Sequence, residues 1–218
     1  MMPPNPAVSV DLPDELRSSR LVVRPYRPGD ADAVFAAINE SREVLRPWMD
    51  WVERHPTVAD TRDFCVHCAT GWQAHTALDV GIFDAQTGGF LGATGLPRFN
   101  WDNRTFEVGY WLRRTAWGHG YAGEAVQLLA RLVFEDLNGV RLELRCDARN
   151  DRSRRVAERL GFLLEGRLRN ESRDPFGQIR DTLVFALIPE DYARLRTQWH
   201  AKQRLSSGQD FVESREGE

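Results

Sequence analysis

The sequence predicts one α/β domain: a central, mostly antiparallel sheet with one parallel pair of strands and helices on both faces. Three observations carry that expectation. The chain has 218 residues, 42% of them hydrophobic, enough for one substantial core and with nothing to divide it into two independent domains. Short β-rich runs bounded by turn residues recur on both sides of residues 106–137. That central stretch reads strand, loop, helix, so the strand after it runs parallel to the first, with the helix as the crossover.

Taken in order, residues 1–16 are proline-rich and polar, a flexible arm or an edge ahead of a domain that spans 17–205. Residues 20–26 read as the first strand. Pro28-Gly29-Asp30 then starts a helix, with Asp30 as its N-cap and Ala33, Val34, Ala37 and Ile38 on its inner face. Residues 41–55 crowd Leu45, Pro47, Trp48, Met49, Trp51 and Val52 into more apolar positions than one helical face buries. Trp48 and Trp51 are either a pocket wall or anchors that close the core. Thr57 and Asp60 resemble a capping box, with Asp in place of Glu or Gln, for a helix to about residue 73. Cys65 and Cys68 fall on its buried side, and three cysteines with no second ligand cluster argue for burial rather than a disulfide framework or a zinc site.

Runs 76–83 and 90–97, joined through Gly88 and Gly89, form a hairpin. In the next strand Phe106, Val108, Tyr110 and Leu112 alternate with Glu107, Gly109 and Trp111. Three antiparallel strands thus precede the loop. From Ala122 a helix shows Ala125, Val126, Leu129, Leu132, Val133 and Leu137 on one face, and Gly139 stops it. Val140, Leu142, Leu144 and Cys146 alternate in the parallel strand. A short helix follows Asn150-Asp151-Arg152-Ser153, with Val156, Ala157 and Leu160 inward. Strands 163–168 and 179–187 flank a glycine turn, a last helix opens at Pro189, and 206–218 read as a disordered tail.

Composition excludes several classes. A net charge of −3 gives no general reason to expect nucleic acid, although basic residues crowd 145–173. No apolar run approaches the ~20 residues of a membrane span, and the first residues lack a signal-peptide pattern, so a cytosolic protein is expected. His55 and His75 lack clustered partners, and no metal is called for.

The chemistry concentrates at Trp117-Gly118-His119-Gly120-Tyr121-Ala122, where free N–H groups at a helix N-terminus form an anion cradle, most naturally for a phosphate. Two readings compete. Gly118, Gly120 and Gly123 spell GxGxxG, with Glu143 about 20 residues on, as in dinucleotide folds. Against this, Arg113 to Trp117 intervene after the strand, and the further βαβ units that a dinucleotide crevice needs are missing. The same letters fit (Q/R)xxGx(G/A), with Trp117 in the first place, of the GCN5-related N-acetyltransferases (GNAT), whose cradle holds the pyrophosphate of acetyl-CoA.

Asn150-Asp151-Arg152-Ser153, Gly161-Phe162 and Glu165-Gly166 then follow at the spacing of that family. The chain resembles its RimJ/RimL-type branch of ribosomal-protein N-terminal acetyltransferases, with Leu45-Arg46-Pro47-Trp48, Glu107-Val108-Gly109-Tyr110-Trp111 and Arg180-Asp181-Thr182 as further matches. The resemblance spans about residues 21–192. It implies a parallel pair splayed at the cofactor site, a cradle of Trp117, Gly118, His119, Gly120, Tyr121 and Ala122, and acetyl transfer to a primary amine. Acceptors rank as a protein or peptide N-terminus, then a small amine or antibiotic, then a lysine. Trp48, Trp51 and Tyr110 would line the acceptor pocket. Backbone N–H groups of Trp111 and Leu112 would polarise the thioester. Glu107 is the candidate base, or else a salt-bridged strand glutamate. Arg113 and His119 are phosphate contacts or solvated charges. Asn150 caps its helix, touches the pantetheine arm, or does both. Ala157 stands where many members carry a tyrosine acid, and Ser153 would replace it as donor to the CoA sulfur. A non-catalytic acyl-CoA-binding module and a nucleotide-dependent oxidoreductase are the rivals. Monomer and homodimer are equally compatible with the sequence.

Overall fold

A computed structural model describes residues 11–207; the first part of the expected arm and the stretch from 208 on lie outside the described residues. Eight strands form one sheet: β1 (Leu16–Arg17), β2 (Leu21–Arg24), β3 (Asp79–Asp84), β4 (Phe90–Asn100), β5 (Thr105–Leu112), β6 (Arg141–Asp147), β7 (Leu163–Arg173) and β8 (Ile179–Leu187). Their spatial order is β1-β2-β3-β4-β5-β6-β8-β7. The β5–β6 pair is parallel and the others are antiparallel. Five strands therefore precede the loop, one more than the sequence suggested. The addition, β1, is a two-residue edge that buries Leu16; β2 is the expected first strand.

Strand alternation divides the core. Leu21 and Val23 of β2, with Phe106, Val108 and Leu112 of β5, pack on one face against α3 (Tyr121–Arg131), α4 (Asp151–Leu160) and α5 (Pro189–Ser207). Val22 and Trp111 point the other way, into a second cluster with α1 (Ala31–Leu45) and α2 (Val58–Ala74). Cys65 and Cys68 lie in this second cluster, and burial pushes the Cys65 thiol up to about 12.

The capping box holds with aspartate: Thr57 Oγ1 accepts from the Asp60 N–H at 3.2 Å, and Asp60 returns the bond to the Thr57 N–H at 3.1 Å. Other local expectations need correction. Asp30 precedes α1 without capping it by its side chain; its carboxylate instead accepts from Arg24 at 2.8 and 3.0 Å and from the Arg27 N–H at 2.7 Å, closing the turn before the helix. Ala33 is exposed, because α1 buries the narrower stripe of Ala31, Val34, Ala37, Ile38, Ser41 and Leu45. The last turn of the crossover helix, Leu132–Asp136, widens to a π-helix. There Asn138, at φ 51°, takes the left-handed position expected of Gly139. Gly139 packs instead so close to Val133 that a Cβ would stand 2.4 Å from its Cγ1. Val140 lies outside β6 and is exposed.

Candidate active site

The sheet opens where β5 and β6 part. Thr105, Phe106 and Glu107 pair with Arg141, Leu142 and Glu143, and no pairing joins the two strands beyond them. β5 nevertheless stays on β4 as far as Leu112, and β6 stays on β8 as far as Asp147. A splay of this kind exposes strand edges that would otherwise be bonded to each other. The Arg113 N–H bonds the Leu91 carbonyl at 2.9 Å, and the Gly109 carbonyl accepts from Thr94 Oγ1 at 2.8 Å. Odd-numbered peptides of β5 thus turn toward β4. By alternation the N–H groups of Val108, Tyr110 and Leu112 face the opening, and of the two donors named from the sequence Leu112 is the better placed.

At the end of the splay, the Trp117 indole N–H donates to the Leu112 carbonyl at 2.9 Å, tying the loop back to its strand. Gly118 and Gly120 adopt φ 84° and 81°, a left-handed conformation that L side chains rarely hold, so the turn into α3 depends on both glycines. No atom lies within 4 Å of where a Cβ at Gly118 would stand, so the cradle is open. Tyr121, Ala122 and Gly123 form the first turn of α3, whose N–H groups precede the helical bonding pattern and point outward. This arrangement fits a pyrophosphate.

Two cations that the sequence did not single out flank the cradle. Arg20 donates to the His119 carbonyl at 3.0 Å, pairs with the buried Glu124 carboxylate, and lies 5.0 Å over the Tyr121 ring, which stacks on His119. Arg152 lies 4.1 Å over the Trp117 ring. Arg113, by contrast, is engaged elsewhere. It pairs with Glu40, whose other oxygen accepts from the Thr115 N–H and Oγ1 at 3.0 and 2.9 Å, so it fastens the loop to α1.

Below the splay lies a cavity of about 290 Å³, at the small end of ligand pockets. Trp48, Glu107, Tyr110, Asn150 and Ser153 all line it. Trp51 does not belong to this lining: its ring packs 5.4 Å from Trp111 and edge-on to His55, so it closes the second core cluster. The two tryptophans thus divide the two roles the sequence left open. Asn150 caps α4, its Oδ1 accepting from the Ser153 N–H at 3.1 Å. Ser153 Oγ lies 3.0 Å from the Tyr110 hydroxyl. Burial pushes the Tyr110 pKa up, which keeps the phenol protonated and able to donate. Ala157 is fully buried on α4 and offers no hydroxyl.

Glu107 is salt-bridged, its carboxylate 3.3 Å from Arg98 and 3.9 Å from Arg145, and it also lines the cavity. Burial raises its pKa above the usual carboxylate range, against the lowering pull of the two guanidiniums. Among the described residues no group of His, Cys, Asp and Glu could hold a metal ion, and no helix is long and apolar enough to cross a membrane.

Comparison with known proteins agrees with this geometry. Residues 20–163 match the family model described as "Acetyltransferase (GNAT) domain". A Bacillus subtilis (strain 168) protein named "Putative ribosomal N-acetyltransferase YdaF" is 28% identical over 180 residues, covering 80% of this chain and 94% of that one. Among solved structures, the microcin C7 self-immunity acetyltransferase MccE in complex with acetyl-CoA and AMP superposes with a TM-score of 0.73 at 21% identity, over 78% of this chain and 93% of that one. RimL, a ribosomal L7/L12 α-N-protein acetyltransferase in complex with coenzyme A, also gives 0.73, at 20% identity over 80% and 97% of the two chains. The splayed pair, the glycine cradle at the head of α3 and the matched domain lead to one conclusion: this protein belongs to the GNAT family of acetyltransferases, whose cosubstrate is acetyl-CoA.

Proposed function

We propose that the protein acetylates the α-amino group at a protein or peptide N-terminus. The observation that carries this reading is the placement of Glu107, a partly buried carboxylate of raised pKa, on the wall of a small cavity that also holds Tyr110 and Ser153. An α-amine has an unperturbed pKa of ~7.7–8.0, within reach of such a base, whereas a lysine near ~10.4 demands a stronger one. The names of YdaF and RimL support the same acceptor class.

Acetyl-CoA supplies the activated acetyl thioester. The cradle from Gly118 to Ala122 would hold its pyrophosphate through backbone N–H groups, with His119 and Arg152 beside it and Arg20 holding the loop. Glu107 takes the proton from the incoming amine, directly or through one water. The Leu112 N–H donates to the carbonyl oxygen as negative charge develops there. Ser153 Oγ donates to the departing sulfur, with the Tyr110 hydroxyl bonded behind it; the proton that the thiolate gains is drawn from water through this pair, and Glu107 releases the amine's proton to water.

The charge of the cavity argues against a polycationic antibiotic as acceptor. Arg98, Arg145 and Arg180 balance Glu107, Asp147 and Glu171 along its lining, so no excess of carboxylates awaits several ammonium groups. The reading is tested by incubating protein and acetyl-CoA with peptides varied at their first two residues, polyamines and aminoglycosides, and following acetylation by mass spectrometry. Acetylated peptide α-amines are expected. Acetylation confined to small amines would move the acceptor class, and acetyl-CoA binding without transfer to any amine would leave a binding module.

A further inference from the structure

Three carboxylates line the cavity, and each has its partners. Glu107 faces Arg98 and Arg145. Glu171 accepts from Arg145 at 2.8 Å and from Thr182 Oγ1 at 2.8 Å. Asp147 takes both arms of Arg149, at 2.7 and 3.0 Å. The three lining arginines are not matched in the same way. Arg98 and Arg145 are paired, but Arg180 donates only its Nε, to the neutral Ser172 Oγ at 2.9 Å. Among the described residues no carboxylate lies within 4.0 Å of its guanidinium, which is only partly exposed; Asp147 feels its charge from farther off, but that carboxylate is already bonded by Arg149. A half-buried guanidinium that lines a cavity with no ion-pair partner is costly unless an anion completes it, and the planar fork matches a carboxylate with two parallel bonds.

The position of Arg180 suggests where that anion comes from. It lies on β8 opposite Ser172 of β7, near the end of a hairpin whose tip reaches α1: the Phe176 ring lies 5.5 Å from the Arg46 guanidinium. An acceptor entering between this hairpin and Trp48 would pass Arg180 on its way to Glu107. The registers set the offset. Glu107 is level with Glu143, and Thr182 with Asp147, four residues further along β6; Arg180 lies two residues beyond Thr182, so the offset is six residues, or about 20 Å at ~3.3 Å per residue. Long side chains at both ends shorten the gap to about 10 Å, one that about three peptide residues span at ~3.3–3.6 Å each.

We infer that Arg180 is an anion subsite that selects acceptors bearing a carboxylate a short distance from the reacting amine, chiefly an Asp or Glu side chain among the first residues of a peptide. This rests on the acetyltransferase reading above and deepens it. The other source of the same chemistry is the α-carboxylate of a free amino acid or dipeptide, whose amine lies closer to its carboxylate.

The experiment compares kcat/KM for matched acceptors: peptides with Asp or Glu at the second, third or fourth position against Asn or Gln at the same position, and free amino acids and dipeptides against their amides. The wild-type protein should favour the acidic peptide about tenfold, mainly through KM, and added salt should shrink the preference. Arg180→Gln should bring the acid-to-amide ratio close to one. Arg180→Glu should invert it toward peptides with a lysine at that position. Arg180→Lys, which keeps the charge and the fold but loses the fork, should retain part of it and carries the test if the other variants fold poorly. A preference for free amino acids over their amides, lost in Arg180→Gln, would keep the subsite and assign it to the α-carboxylate. Equal kcat/KM for acidic and amide acceptors, or a preference that survives in Arg180→Gln, would overturn the subsite and leave the acetyltransferase standing. No acetylation of any acceptor by folded protein that binds acetyl-CoA would overturn both.

Discussion

Replacing Glu107 by Gln keeps its shape and removes its ability to take a proton. With an N-terminal peptide whose amine has a pKa of ~7.8, about 14% of the acceptor is neutral at pH 7, so the variant forfeits roughly sevenfold from protonation alone. The positioned base accounts for the rest of an expected loss of ~10²-fold or more. The sign of the pH dependence follows from the structure. Glu107 accepts a proton only when ionised, so the parent rate falls as pH drops through its pKa, which burial has raised, and levels off above it. The variant lacks that limb and should climb through the amine's own titration, recovering about sevenfold between pH 7 and 9. Arg98 offers a finer check. It holds Glu107 at 3.3 Å, but its side chain is 72% exposed. An exposed pair contributes ~0.2–1 kcal/mol, or at most ~0.7 of a pKa unit, so Arg98→Gln should move the parent's acid limb upward by no more than that. The assay is thiol release from acetyl-CoA across pH 5–9 in both variants, with acetyl-CoA affinity measured in parallel. A Glu107→Gln protein with the parental rate and profile would refute the assignment and return Glu107 to the role of a salt-bridged strand residue.

Three other outcomes follow from the same geometry. Acetyl-CoA should stabilise the fold by about 2.7 kcal/mol at a hundredfold excess over Kd, read as a thermal shift that NAD(H) does not reproduce. Gly120→Val should weaken acetyl-CoA binding strongly, because Gly120 sits at φ 81°, where an L residue costs ~1–2 kcal/mol, and because the new side chain stands at the cradle; undiminished affinity in a folded variant would count against the cradle. Ser153→Ala should lower kcat with little change in acetyl-CoA affinity, and Tyr110→Phe should do so less, since Tyr110 lies behind Ser153; equal rates in all three proteins would remove the pair from proton delivery.

The parts of this site that were legible in the sequence are those written locally. Two glycines ahead of an amphipathic helix announce a left-handed turn and free N–H groups wherever they occur, and Gly118 and Gly120 adopt that conformation. The parallel pair followed from connectivity, since a helix between two strands leaves few alternatives. Capping was half legible: Thr57 and Asp60 face no competing partner, whereas Asp30 is claimed by Arg24 and Arg27, residues a local reading does not weigh. The ion pairs were out of reach for the same reason on a larger scale. Arg113 looks like a phosphate ligand until α1 brings Glu40 to it across 73 residues. Arg20 reaches the cradle 99 residues away, and the unmatched state of Arg180 depends on which carboxylates other strands have already engaged. Trp48 and Trp51 illustrate the limit most simply: three positions apart, one lines the cavity and the other fills a core.

The central claim is transfer of an acetyl group to an α-amine, and one measurement addresses it most directly. A peptide with a free N-terminus and an internal lysine is incubated with protein and acetyl-CoA beside the same peptide with its N-terminus blocked, and the acetylated nitrogen is located by fragmentation mass spectrometry. The account predicts one acetyl group, on the α-nitrogen of the free peptide, and none on the blocked peptide. Acetylation of the lysine at equal rates in both peptides would contradict it.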